Sequence, residues 1–305
     1  MKDKILVTGA NGNLGKKFML SKGEVDVCAL VRSEKAKNDL MNFVQAHDIQ
    51  DIQIVKCDYL DEQVIKELAR SCTYVLHLVG IIKENKDNRF DVVHKQTTKA
   101  LVAAIKGSDI KKCCYISILG AKEGSENTCF SSRGLAEKLF LDSDIPSLVL
   151  QVPMVLGEGD YACEALKKNA LSRFNFTFRK LSLEQPIYAG DIIDAIKLDV
   201  SRTLKGDYSP SGIKALAGPT SLTRERLIIR VAKQLGVKVK VCSIPLFLGY
   251  AFARIFEILF SHPPITTAML GVLDHDDDID PLPSSKELGI NLTALDEMLE
   301  ATISP

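Results

Sequence analysis

The chain has 305 residues, 39 basic against 39 acidic side chains and a hydrophobic fraction of 46%. This length supports one large or two small domains with a real core, and the charge balance argues against a globally basic nucleic-acid binder. The eight cysteines form no C-x-x-C pair and the histidines are dispersed, which predicts buried free thiols and no metal site.

The N-terminus enters an apolar run, Ile5-Leu6-Val7, within four residues. No secretory leader is expected, and no run of eighteen uncharged apolar residues predicts a spanning helix. The expected location is therefore cytoplasmic. The run reads as a buried strand. It is followed by Thr8-Gly9-Ala10-Asn11-Gly12-Asn13-Leu14-Gly15 and then by a helical stretch to Leu20. Strand, glycine turn and helix is the context of a dinucleotide-binding fingerprint. Glycine lets the backbone turn tightly and approach a pyrophosphate, and the helix N-terminus offers unpaired N–H groups to it. The spacing Gly9, Gly12, Gly15 departs from the commoner G-x-G-x-x-G.

Further strands are expected at Val25–Val31, Ile52–Cys57, Tyr74–Val79, Cys113–Ile118 and Ser147–Val152. Helices are expected between them at Arg32–Gln45, Asp61–Ala69, Phe90–Lys106 and Ser131–Leu141. The strand runs are continuous rather than alternating, as in strands covered on both faces. The fold class that follows is α/β, a Rossmann-type doubly wound parallel sheet.

After Gly157 the rhythm changes. Phe174–Phe178 alternates like a strand, Pro186–Val200 holds a short strand and a helix from about Asp191, and Lys214–Ala217 suggests another strand. Thr223–Leu235 is an amphipathic helix closed by Gly236, and the rest is a helical tail. The expected organisation is a dinucleotide domain over 1–156 and a smaller, interleaved, mostly helical part over 157–305. Residues 185–220 are expected to return to the first domain. Asp274–Asp280 lacks the glycine and terminal glutamate of a calcium loop and reads as a solvated acidic loop.

The second strand ends at Arg32. An acidic residue there would bond the ribose hydroxyls of NAD, whereas arginine suits the 2′-phosphate of NADP; a solvated charge at a helix start is the alternative. Asp58 ends the third strand, where open α/β sheets bind ligands, but it could equally cap the next helix, as could Asp61. Leu78-Val79-Gly80 offers backbone that can pass beneath a ribose. His77, inside an apolar strand, reads as a satisfied core histidine. Ile244–Phe260 is strongly apolar, interrupted by Arg254 and Glu257. It is short for a span and fits core packing or a surface for a partner or bilayer.

Together Thr8–Gly15, Leu30–Arg32, Cys57–Asp61, Val92–Leu101, Ile116–Ala121 and Gln185–Ile196 resemble the atypical, extended short-chain dehydrogenases/reductases. Within these the chain is most similar to the nucleotide-binding accessory subunits of respiratory complex I and their bacterial relatives, with the NmrA-like group next. Ser117–Ala121, Gln185–Asp191, Gly218-Pro219-Thr220 and Pro263–Thr266 carry that likeness. The resemblance implies NADP(H) in preference to NAD(H). Gly9, Asn11, Gly12, Asn13 and Leu14 would hold the pyrophosphate, Arg32 the adenosine phosphate, and Asp58 and Tyr59 would flank adenine. Leu78, Val79 and Gly80 would pass the ribose, and Ser117 with Val152, Pro153 and Met154 would face the nicotinamide. It also implies a role peripheral to a membrane complex.

Active members carry Tyr-x-x-x-Lys on the helix after the fifth strand. Here the corresponding positions hold Cys129 and Arg133, and no tyrosine in the chain has lysine four residues on. Arginine stays charged and does not replace lysine as a tuned proton partner. Ser117, Cys129 and Arg133 are the remaining catalytic candidates; beside Arg133 the Cys129 thiol could be a thiolate, and a buried, idle thiol is the favoured reading. The implied function is a cofactor-linked structural, assembly or sensing role. The alternative is an oxidoreductase or nucleotide-sugar epimerase-like enzyme with another proton donor.

Overall fold

The computed structural model describes residues 3–303. Its first half alternates strand and helix: β1 (Lys4–Thr8), α1 (Asn13–Leu20), β2 (Asp26–Val31), α2 (Glu34–Ala46), β3 (Ile52–Lys56), α3 (Glu62–Ala69) and β4 (Tyr74–His77). A π-helical turn, Asp91–Gln96, then leads into α4 (Thr97–Ile105), followed by β5 (Lys112–Ile118), α5 (Thr128–Leu141) and β6 (Ser147–Val152). The continuous Phe90–Lys106 helix expected from the sequence is thus interrupted. The extra residue per turn in its first part was invisible to a 3.6-residue pattern.

The second half is less regular. It comprises β7 (Val155–Leu156), α6 (Tyr161–Leu171), β8 (Phe174–Phe178), β9 (Leu183–Glu184), β10 (Ile187–Tyr188), α7 (Ala189–Leu204), β11 (Gly212–Ala215) and β12 (Leu222–Thr223). After these come α8 (Arg224–Gln234), β13 (Lys240–Ile244), α9 (Leu246–Leu259), α10 (Thr267–Leu273), α11 (Leu282–Leu288) and α12 (Leu295–Thr302).

The main sheet has seven strands in the order β11-β6-β5-β4-β1-β2-β3, all parallel. The six strands expected for the dinucleotide fold are joined by β11, which pairs Gly212–Ala215 with Leu148–Gln151. The strand order reverses between β1 and β4, and in open α/β sheets ligands bind in the crevice beyond such a reversal. One face of the sheet packs Val7, Ala29 and Leu76 against Phe18, Leu40 and Ile196 of the helices α1, α2 and α7. The other face packs Leu6, Leu30 and Tyr115 against Ile65, Leu101 and Phe140 of α3, α4 and α5. Burial on both faces is the cause of the continuous apolar runs. A separate core of α6, α8 and α12, including Leu166, Val231 and Met298, supports the C-terminal part.

The helix caps settle one open alternative. Asp61 Oδ1 accepts from Val64 N at 3.1 Å and caps α3, while Asp58 Oδ1 accepts from Leu60 N at 3.0 Å in the turn before it. The acidic loop is exposed at Asp276, Asp278 and Asp280, as expected of a solvated loop, and is in addition tied to the body of the protein. Asp276 accepts from Ser182 Oγ and Leu183 N at 2.9 Å, and Arg179 pairs with both Asp274 and Asp276. Gln185 then clamps Ile279 through both of its backbone groups. Charge count alone carries no signal for these partners, which lie about ninety residues upstream.

Candidate cofactor and reaction site

The loop after β1 reaches the sheet's carboxyl edge in a conformation that needs glycine at its first position. Gly9 has φ +70°, and a Cβ there would stand 2.9 Å from the Leu78 carbonyl carbon. L-residues with a side chain avoid that region. The Gly9 N–H is already engaged, donating to the Tyr59 hydroxyl at 2.9 Å, and the same hydroxyl donates to Leu30 O at 2.8 Å. Tyr59 is therefore a buried brace between the loop and β2, with its phenol pushed up to about 12 chiefly by burial.

The helix α1 begins at Asn13 with Gly12 as its cap residue, no side-chain cap and no acidic residue in its first turn. The first-turn N–H groups of a helix have no intrahelical partners. Here Gly12 and Asn13 are exposed, with Asn11 and Leu14 half-buried. Uncapped donors, the positive end of the helix dipole and a turn free of carboxylates fit a diphosphate. Across this opening Asn13 Nδ2 donates to Gly159 O at 3.0 Å and Lys17 Nζ to Glu158 O at 2.8 Å. The turn before α6 is thereby strapped to the start of α1. Behind it Asp160 is buried, with one carboxyl oxygen lacking a partner among the described residues and its pKa raised by burial.

Arg32 follows β2, is exposed, and donates to the Asn88 side chain in the loop after β4. Among the described residues it has no carboxylate partner. Ser33 rather than Arg32 starts the next helix, accepting from Ala36 N at 3.2 Å. Asp58 is exposed just after β3, the strand that pairs with β2. Leu78 and Gly80 face the crevice more openly than Val79. Val152 is buried at the end of β6, with Pro153 and Met154 half-buried after it.

The other candidates lie at the β4–β5 side of the same edge, where the polar side chains turn inward. Ser117 is 1% exposed and donates to the Glu137 carboxylate. Gln151 Nε2 donates to both Glu137 oxygens at 2.9 Å. Burial raises the Glu137 pKa against these three hydrogen bonds and the nearby Arg133 charge. Sequence reasoning passed over Glu137. Its signal was a lone carboxylate one helical turn beyond Arg133 in an otherwise buried helix face.

Arg133 is 6% exposed and donates through Nη1 to Tyr115 Oη at 3.2 Å and Ile116 O at 3.0 Å. Its guanidinium fills the space where a side chain on Gly80 would stand, and its buried Nε has no partner among the described residues.

Cys129 is fully buried in an apolar cluster with Phe90 and Ala268, against Ile81, Ile118 and Val272. Its thiol is pushed up to about 11, because burial outweighs the opposing Arg133 charge. Of the two readings of Cys129, a buried idle thiol or a thiolate beside Arg133, the structure favours the first, because desolvation of the charged form wins. The residues that seal Cys129 include Ala268 and Val272 of α10, far along the chain. His275, just past α10, stands over Gly120 and edge-on to Phe130.

A second feature absent from the sequence reading is His94 in the π turn. Its Nε2 accepts from Ile81 N at 3.0 Å, so Nδ1 carries the proton and donates to Ser132 Oγ at 2.8 Å. Burial and then the Arg133 charge push it down to about 2, leaving a neutral ring. His77 is likewise a neutral core residue, between Thr8 Oγ1 at 2.6 Å and Thr98 Oγ1 at 3.2 Å and pushed down to about 3.

Comparison with known proteins places this geometry. Residues 1–151 match the NmrA-like family. The chain is 22% identical over 297 residues to the mitochondrial NADH dehydrogenase (ubiquinone) 1 alpha subcomplex subunit 9 of Mus musculus, covering 95% of this chain and 77% of that protein. Among solved structures it resembles a variant of the UDP-glucuronic acid 4-epimerase of Bacillus cereus in complex with NAD, at 18% identity and TM-score 0.69 with 98% of each chain covered. It also resembles the NADPH-dependent quinone oxidoreductase of Escherichia coli complexed with NADPH, at 19% identity and TM-score 0.70, covering 97% of this chain and 98% of that one. This chain shares the fold of these two solved structures, which hold NAD and NADPH. No metal-holding group of His, Cys, Asp and Glu occurs among the described residues, and no helix there is long and apolar enough to cross a membrane.

Proposed function

We propose that this chain, an atypical extended short-chain dehydrogenase/reductase with an NmrA-like first half, binds NADP(H) as a structural or sensing cofactor and does not run Tyr/Lys hydride chemistry. The observation that carries the reading is Cys129. The position of the missing tyrosine is a fully buried thiol walled by Phe90 and Ala268. Reduction of a carbonyl needs a proton delivered to the developing alkoxide, and a positioned acid contributes roughly two to four orders of magnitude. The hydroxyl of Ser117 is turned to Glu137, and Arg133 holds its charge permanently.

When bound, the dinucleotide would supply hydride chemistry; the chain's own residues bind and orient it. Asn11, Asn13 and Leu14 offer the diphosphate their backbone groups, while Gly9 and Gly12 shape the turn that holds it, Gly12 N donating to Gly9 O at 3.0 Å. Arg32, exposed and without an ion pair among the described residues, takes the 2′-phosphate, and Asp58 with the Tyr59 backbone borders the adenine. Leu78, Val79 and Gly80 run under the ribose. Arg133, with an unpartnered buried Nε, lies behind Gly80. Ser117, Val152 and Pro153 close the nicotinamide end.

The chain's similarity to a mitochondrial subunit named for an NADH dehydrogenase supports a role peripheral to an assembly of that kind, and the exposed apolar stretch Ile244–Phe260 is the surface through which it would dock. A second reading rests on Glu137. A carboxyl that burial raises, bonded to Ser117 at the reaction edge, is the proton donor that an oxidoreductase or epimerase-like enzyme would use here.

Calorimetry with both cofactors tests the first reading. The expected preference for NADPH over NADH is about tenfold or more, near 1.4 kcal/mol, and Arg32→Ala should erase it. Equal affinities would remove the assignment of Arg32. Steady oxidation of NADPH by added carbonyl or quinone substrates, abolished by Glu137→Gln, would establish the second reading instead.

A further inference from the structure

The surface of α9 is inverted relative to an ordinary amphipathic helix. At 100° per residue, Phe247, Leu248, Phe252, Ile255, Ile258 and Leu259 fall within an arc of roughly 140°. All six are exposed, Ile258 by 83% and Phe247 by 69%. The only other residue in that arc is Ala251, so it presents no polar side chain. On the opposite side Gly249 and Ala253 are buried, Leu246, Tyr250 and Phe256 are half-buried, and Gly249 lies against the Phe178 ring. Core packing accounts for that side and leaves the large apolar side facing outward.

The strands that lead into this helix continue the chemistry. β8 and β13 pair in parallel, with Lys240 opposite Phe174 and Cys242 opposite Phe176. Phe174 and Phe176 are exposed, while Asn175 between them is buried. Arg173 stands over the Phe174 ring at 5.8 Å. Arg173, Lys238, Lys240 and Arg254 are exposed and make no ion pair among the described residues. The one acid of α9, Glu257, is drawn to the start of α10, where it accepts from Thr267 N at 2.7 Å and Thr267 Oγ1 at 3.1 Å.

From this arrangement we infer that α9, with the β8–β13 ribbon, is a monotopic membrane-binding surface for a bilayer containing anionic lipid. Three arguments favour a bilayer over other occupants. Fourteen helical residues span about 21 Å, short of the roughly 30 Å hydrocarbon core, so the helix lies in the interface rather than across it. Protein interfaces carry about one hydrogen bond per 100–200 Å², yet the exposed arc offers no side-chain donor or acceptor. A second copy laid on this face would bring the same unpaired cations together, whereas an anionic leaflet complements them. The inference deepens the proposed docking role of Ile244–Phe260 and names what it docks on.

The test is co-sedimentation of the full chain with vesicles of phosphatidylcholine alone and of phosphatidylcholine mixed with phosphatidylglycerol. Binding is expected on the mixed vesicles and to weaken with salt. Lys238→Gln with Lys240→Gln should reduce it by roughly tenfold. Phe252→Glu with Ile255→Glu should abolish it, and because both side chains are exposed the variant keeps its fold and wild-type cofactor affinity. Cofactor affinity measured on the same samples reports separately on the proposed nucleotide role, so the two readings fail independently. Three results overturn the inference: no sedimentation with either vesicle, binding indifferent to lipid charge and to the lysine substitutions, or a dimer in solution in which α9 is protected from exchange and no vesicle is bound.

Discussion

At the β1–β2 side of the sheet's carboxyl edge the chain leaves polar groups outward: the uncapped first turn of α1, exposed Asn13, and Arg32, bonded among the described residues to Asn88. At the β4–β5 side of the same edge the polar groups point inward. Ser117 bonds Glu137, His94 is spent between Ile81 and Ser132, and Cys129 is sealed by Phe90 and Ala268. One side leaves donors unsatisfied, as the proposed diphosphate site requires; the other has satisfied most of its own. The contrast separates binding from chemistry within one fold, since each depends on side chains that the other does not need.

The strongest way to break the open side is at its turn. Gly9→Val places a branched side chain at φ +70° against the Leu78 backbone. The left-handed strain and the contact together should cost about 3 kcal/mol or more of stability. Dinucleotide affinity should fall by about a hundredfold or more, because the turn also sets the start of α1. Denaturant unfolding and calorimetry read the two effects. Unchanged cofactor binding in the variant would mean that this turn is not the diphosphate site.

The closed side can be sharpened by pH. His77 and His94 are held neutral, at about 3 and about 2, against an ordinary value of 6.5. The unfolded chain therefore binds more protons than the folded one below about pH 6.5. Their contribution is fully present above that value and is lost as pH falls toward the folded values. Between pH 7 and 5.5 each ring should cost roughly 1.2 kcal/mol. Glu137 acts in the opposite direction, because burial raises its pKa: its share is fully present below the ordinary carboxyl range and shrinks as pH rises. The informative measurement is thus a difference. His94→Gln should reduce the acid-induced loss by about one ring's share in denaturant unfolding at the two pH values. Equal losses in both proteins would show that His94 is not held neutral in the native state.

The same contrast explains what could be read from the chain alone. The open side was legible because its signals are local: Gly9 to Gly15 in one turn, Arg32 at a strand end, buried strands as unbroken apolar runs. The closed side was only half legible. That no tyrosine has lysine four residues on could be read directly, and the resemblance proposed Cys129 and Arg133 for the Tyr/Lys positions. That Ala268 and Val272 seal the thiol could not, since they come from a helix well over a hundred residues away and carry no periodic signal. His94 was hidden by the π turn, which breaks the helical period on which the reading of Phe90–Lys106 relied. Lys112, Asp199 and Tyr74 form a buried bonded cluster with Lys112–Asp199 at 2.6 Å, equally unmarked because its members come from three separated elements. Pairings of that kind exist only once the topology is fixed.

The smallest expected effect is at Cys129 itself, and it tests the closed side directly. All eight cysteines are free, seven are buried, and Cys242 alone is half-exposed. Reaction with a thiol reagent requires access and a thiolate. Cys129 has neither, being fully buried with a thiol near 11. One fast equivalent of labelling, at Cys242, is expected from the folded protein, and the remaining thiols should react only on unfolding. Cys129→Ser should leave cofactor affinity and any trace turnover unchanged, because among the described residues the thiol meets the Ile81 carbonyl, at 3.8 Å, and apolar neighbours. Its stability cost should stay near 1 kcal/mol, the scale of placing a hydroxyl with a single acceptor in an apolar site. Rapid labelling of Cys129 in the native protein, or turnover lost with the serine variant, would mean that the side taken here as closed opens to a substrate.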